Sequence, residues 1–160
     1  MIQWDSYFTT IAEASATLTG LIFIGLSLNL QKILASKQLP ARALGSLILM
    51  AYILLISSFC LIPQQSIFML GVEALTSSII VWVNITRMDI LMHNEAVKKY
   101  KRHYFQNLIF SQLALLPYLV AGVFLVSGSA NGFYWLIPGI TISIIKALTD
   151  SWVLLVEINR

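Results

Sequence analysis

GITISIIKALTDSWVLLVE, residues Gly139 to Glu157, is apolar enough to span a membrane, yet it carries Lys146 and Asp150 near its middle. A charge at bilayer depth costs about 2.5–3.5 kcal/mol on insertion scales and rarely stands there without a partner. Lys146 and Asp150 are spaced i, i+4, on one face of a helix, so they can pair with each other. Helical spacing puts Gly139, Ser143 and Glu157 on the same face. The result is a polar stripe, and every other segment is read by whether it faces this stripe.

Composition sets the class. Of 160 residues, 58% are hydrophobic and 11% charged, and the mean hydropathy is +0.83. Soluble domains are about 45–50% apolar and about 25% charged, so a soluble fold is excluded. Runs of about 20 apolar residues recur along the chain, as in polytopic helical membrane proteins. No stretch is polar enough to form a separate module, so residues 1–160 read as a single transmembrane domain. Cys60 is the only cysteine. An intramolecular disulfide and a cysteine-based metal site are therefore ruled out, and Cys60 reads as a small packing residue.

In chain order, MIQWDSYFTT has no basic region, and no removed signal peptide is expected. Trp4, Tyr7 and Phe8 read as interfacial aromatics. A first span is predicted over Ile11–Leu30. In it Ala12, Ala16 and Gly20 repeat at spacing four, with Ser15 and Thr19 beside them, a surface on which another helix can approach closely. Glu13 and Thr17 flank that surface, and Ile11, Leu18 and Ile22 are expected to face lipid. A polar link with Lys32, Lys37, Pro40 and Arg42 leads to a second span, Ala43–Ile62. Pro63 to Ser66 make an uncharged turn into a third span, which reaches Arg87. Glu73, Ser77, Asn84 and Arg87 share one of its faces and form a second polar stripe.

Arg87–His103 is the long polar connection, read as a helical extension and a loop. A fourth span, Tyr104–Val126, places Asn107, Ser111, Tyr118 and Gly122 on one face, with Pro117 in its interior. The uncharged turn SGSANG precedes the fifth span. Lys32, Lys37 and Arg42 lie in the first link, Arg87, Lys98, Lys99, Lys101 and Arg102 in the third, and Arg160 at the C-terminus. With five spans these fall on one side. By the positive-inside rule that side is the cytoplasm, with the N-terminus outside and the C-terminus cytoplasmic.

Functional readings compete with plainer ones. The cluster Lys98, Lys99, Lys101 and Arg102 adds to a basic chain with a pI near 9.1. Juxtamembrane basic clusters beside aromatic residues hold anionic lipid head groups and set topology, so lipid contact is expected and nucleic-acid binding is not. Asp89 and His93 have spacing for a shared metal, but without a third ligand they read as a solvated helix face. The spans contain no Ser/His pair, no paired aspartates and no His-Glu zinc motif, so no enzyme is expected. No phosphate-binding glycine loop is present, and no cofactor is expected.

The remaining signal is the set of intramembrane polar groups: Glu13, Glu73, Ser77, Asn84, Arg87, Ser143, Lys146 and Asp150. Ordered by depth, their charges alternate in sign, which suits an ion or proton pathway of channel or transporter type. The same groups could instead only satisfy one another and fix the register of a bundle. Five helices make a thin bundle in which to hide five charges, so a homo-oligomer is expected. The alternative function is a non-transporting subunit or regulator that binds another membrane protein through the first helix.

GLIFIGLSLNLQKIL (Gly20–Leu34) and SWVLLVEINR (Ser151–Arg160) resemble segments of small uncharacterised bacterial polytopic inner-membrane proteins. The resemblance covers about a sixth of the chain. It implies a bacterial inner-membrane location and carries no activity with it.

Overall fold

In a bilayer a chain must satisfy its own backbone hydrogen bonds, which a helix does within one segment. The apolar runs of this chain all take that form. The computed structural model describes residues 2–36, 38–95 and 101–156. Its helices are α1 (Ile2–Leu28), α2 (Leu30–Leu34), α3 (Leu39–Cys60), α4 (Ile67–Glu95), α5 (Lys101–Val126) and α6 (Gly132–Leu155). Among the described residues there is no strand. Five of the helices, all but α2, are long and apolar enough to cross a membrane. The protein is an all-α, multi-pass membrane protein.

Helix α3 packs on α4 and on α6, α4 on α5, and α5 on α6, so these four close into a ring. Helix α1 lies outside the ring, mainly against α3 and slightly against α6. The α4–α5 pair approaches closest where both helices carry glycine. A Cβ on Gly71 would lie 2.4 Å from the backbone nitrogen of Val126, and one on Gly122 would lie 2.9 Å from the Leu75 Cα. Only glycine allows such backbone contact. This contact sits at the end of the ring opposite the basic links, here called the far end.

Turn chemistry closes the far end. At the α3–α4 turn Gln64 takes a left-handed conformation, with φ 59°. Helix α5 ends on Gly128, with φ 79°. The Gly128 N–H donates to the Leu125 carbonyl at 2.9 Å and the Ser129 N–H to that of Phe124 at 3.0 Å, the hydrogen-bond pair of a Schellman cap. Pro117 and Pro138 lie within α5 and α6, which run on through them.

Three expectations need correction here. Helix α1 begins at Ile2, well before Ile11, because its aromatic start packs on α6. Phe8 is fully buried, and Trp4 stacks on Phe133 with centroids 5.9 Å apart, so both belong to the packed structure more than to an interface belt. Ile11 and Leu18 pack on the core and Ile22 is buried, whereas Ala16 and Gly20 are exposed. Bulky side chains gain more dispersion contact on a neighbouring helix than alanine does, and α1 turns that face toward the bundle. The first link also holds a short helix, α2, and Arg42 already belongs to α3.

Candidate functional site

Each ring helix sends polar side chains inward at the end that carries the basic links, one each from α3, α4 and α5 into the charged network and two from α6. Arg42 stands in the first turn of α3, just after Pro40. Asp89 lies six residues before the end of α4, and Asn107 six residues after the start of α5. Lys146 and Asp150 lie on successive turns of α6. At 1.5 Å per residue, Asp89 and Asn107 are about 9 Å inside their helix ends. All four charged groups are buried: Arg42 is 9% exposed, Asp89 4%, and Lys146 and Asp150 3% each.

These groups form one connected network. The Arg42 Nε donates to the Asp150 Oδ1 at 2.8 Å. The Lys146 Nζ donates to the other carboxylate oxygen, Oδ2, and also to the Asn107 Oδ1 at 2.9 Å. The Asn107 Nδ2 in turn donates to the Asp89 Oδ1 at 2.9 Å. Asp150 is thus shared by two cations, while Asp89 is tied to them only through a neutral amide. Two cations and two carboxyl groups meet, so the fully ionised network is neutral. Neutrality and charge-assisted hydrogen bonds are what permit such groups in a low-dielectric interior.

Space around the network is uneven. An interior cavity of ≈ 10 Å³ lies among Arg42, Asp89, Asn107, Ser111, Lys146 and Asp150. That is room for about one water. A wider vestibule of ≈ 130 Å³ is lined by Arg42, His103, Gln106, Asn107, Phe110, Thr149 and Asp150. Arg42, Asn107 and Asp150 border both spaces and stand between them. Toward the far end the ring is packed with Met50, Ile53, Leu115, Tyr118, Leu136 and Ile140, all buried. Tyr52 and Tyr118 meet there edge to face, with centroids 4.9 Å apart. Ser143 marks the polar boundary, receiving a long 3.4 Å hydrogen bond from the Tyr118 hydroxyl.

No family model, no curated protein and no solved structure matches the chain.

The first polar stripe is found where the sequence places it. Lys146 and Asp150 pair, Ser143 is buried, and Gly139 packs against the Tyr118 ring. Glu157 lies outside the described residues. The second stripe does not join the network. Asn84 and Arg87 are exposed, and the Asn84 Nδ2 donates only to the Ile80 carbonyl of its own helix at 2.7 Å. Ser77 likewise donates to the Glu73 carbonyl at 2.6 Å, and the Glu73 Oε2 accepts from the Gln65 Nε2 at 2.6 Å. Glu13 is exposed on α1. Helix α4 turns Ala74, Ser78, Ile85 and Asp89 inward instead. That face is one residue, about 100°, away from the predicted one.

Asp89 is therefore not on a solvated face, as its spacing to His93 suggested. His93 is half-buried, and its Nδ1 is buried without a hydrogen-bond partner among the described residues. No group of three candidate metal ligands occurs among the described residues. Arg42, counted among the topology charges, is the second residue that sequence reasoning missed. Both carry a usable signal. Arg42 continues the buried series Ser46, Leu49, Ile53 and Ile56, and Asp89 continues the series Ala74, Ser78 and Ile85. Of the basic cluster, Lys101 and Arg102 are exposed at the start of α5, and Lys98 and Lys99 lie outside the described residues.

Proposed function

We propose that this chain is a non-enzymatic, multi-pass protein of the bacterial inner membrane that takes up and passes protons or small ions. The N-terminus is outside and the basic links and C-terminus are cytoplasmic in this reading. One observation carries it: a buried, ion-paired network lies beside a vestibule at the basic end, while the far half of the ring is packed mainly with apolar side chains. Intramembrane ionisable groups that line a water-reachable cavity are typical of ion and proton routes. The arrangement suits a site that opens to one side at a time, as in a transporter, more than a continuous pore.

Proteoliposomes with an internal pH dye test the reading. Under an imposed pH gradient and membrane potential, the parent protein is expected to collapse the gradient faster than empty vesicles. Lys146→Met is expected to abolish the difference while still inserting. A parent protein indistinguishable from empty vesicles would falsify transport of protons.

A second reading, a non-transporting subunit, is favoured by α1. Ala16 and Gly20 are exposed, and a Cβ on Gly20 would meet nothing within 4 Å. Small residues left open in lipid suit close approach by another transmembrane helix. We assign that helix to a second copy of the chain or to a membrane-protein partner. Exposed Lys101 and Arg102 suit anionic lipid head groups at the same membrane surface.

A further inference from the structure

Resting on the one-sided site proposed above, we propose that Asp89 is its proton-binding group, taking up a proton at Oδ2 from water that enters by the vestibule. Asp89 is the least satisfied member of the network. Its Oδ1 accepts a single hydrogen bond, from the neutral Asn107 amide. Its Oδ2 is buried and has no hydrogen-bond partner among the described residues. The Ser111 hydroxyl lines the same cavity; it donates to the Asn107 carbonyl at 3.1 Å and lies near enough to turn toward the Asp89 carboxyl instead. Both nearby cations are engaged by Asp150. An ionised carboxylate buried with so few donors is costly, and the group commonly neutralises instead.

The groups facing Asp89 narrow the choice of ligand. Helix α3 presents Arg42, α6 presents Lys146 and Asp150, and α5 presents the neutral Asn107 and Ser111. On α4 itself the next turn carries His93. A metal cation would have to enter beside two fixed cations, in space for about one water. An anion would lie against two carboxyl groups. A proton needs neither volume nor a coordination shell. Uptake forms one O–H bond at Oδ2 as one O–H bond of a hydronium ion in the vestibule breaks and leaves water, and the site gains one positive charge. Arg42, Asn107 and Asp150 border both the vestibule and the cavity, so movement of these side chains is what admits the proton.

Infrared difference spectra of the purified full chain, recorded across the pH range in which it stays folded, test the assignment. The parent should gain the carbonyl-stretch band of a buried carboxylic acid on acidification, with a shift in heavy water. Asp89→Asn should lack that band. Asp89→Glu, which keeps the acid but moves its oxygens, should shift it, and serves if Asp89→Asn does not fold. A parent without the band, or a band that persists unchanged in both variants, overturns the proposal. Proteoliposome flux separates this outcome from the reading beneath it. If Asp89→Asn loses the band and the parent carries no proton flux, the proton site stands and the transport function falls. If the parent carries flux that Asp89→Asn retains in full, Asp89 is not the proton site and transport stands.

Discussion

Arg42 and Asp150 stand 108 residues apart in the chain, and their side chains meet at 2.8 Å inside the ring. That contact changes the meaning of the Lys146–Asp150 pair. Asp150 does not neutralise one lysine; it holds together cations from two helices. Breaking a buried ion pair by removing one partner costs about 3–5 kcal/mol. Asp150→Asn should therefore be the most destabilising single change in the network, since it strands both Arg42 and Lys146. Reversible unfolding in mixed detergent measures this, and the idea fails if Asp150→Asn is no worse than Lys146→Met.

The shared carboxylate also shapes the double mutant. Lys146→Met with Asp150→Asn removes one pair but leaves Arg42 buried without its anion. Recovery should be partial, and adding Arg42→Gln should bring stability back further. Full recovery in the double mutant would mean that the Arg42 contact contributes nothing.

Glycine substitutions separate real helix contacts from open ones. Gly71→Ala puts a methyl against the Val126 backbone, and overpacking of that kind costs about 1–3 kcal/mol. Gly20→Ala meets nothing within 4 Å and should leave monomer stability unchanged or raise it by up to about 1 kcal/mol. Crosslinking in membranes then asks about α1: Ala16→Leu or Gly20→Leu should reduce any crosslinked dimer, while leaving the folded monomer intact. Unchanged crosslinking would remove α1 as an interface between copies.

The outward stripe of α4 gives a negative control. Asn84→Leu and Arg87→Gln lie outside the network and should change stability by no more than about 0.5 kcal/mol. Proton flux should also match the parent protein. Loss of flux in either variant would return these residues to the pathway.

Topology has its own test. Reporters fused after Arg160 or inserted between Lys98 and Lys101 should be cytoplasmic, and one within Ser127–Asn131 should be outside. Reporters found on a single side would contradict five crossings.

How far the sequence could be read depends on which physical signal each residue carries. The five spans were legible because apolar runs of this length have few other outcomes. Lys146 and Asp150 were legible because both lie on one helix, where spacing alone brings them together. Arg42 and Asp89 were not, since their roles depend on how α3 and α4 rotate about their axes. On α4, alternatives one residue apart present either Asn84 or Ile85 to the ring, and polar spacing favoured the wrong one. Burial follows the small and apolar series Ala74, Ser78 and Ile85, and Asp89 is carried inward with it. Helix α1 taught the same lesson in reverse. Its bulky residues Ile11, Leu18 and Ile22 were expected to face lipid, yet they fill the packed face.

The backbone contact at Gly71 and Gly122 has a mechanical consequence. It clamps α4 to α5 at the far end, where no side chain intervenes to slide or repack. Toward the opposite end the same two helices are joined by side chains: the Trp82 Nε1 donates to the Gln112 Oε1 at 2.6 Å, the Gln112 Nε2 to the Thr86 Oγ1 at 3.0 Å, and the Asn107 Nδ2 to the Asp89 Oδ1 at 2.9 Å. A pair of levers pinned at one end and latched at the other swings only about the pin. The glycines are thus the fulcrum, and the bonds at Gln112 and at Asn107–Asp89 are successive latches, the last of which any widening of the charged end must release first.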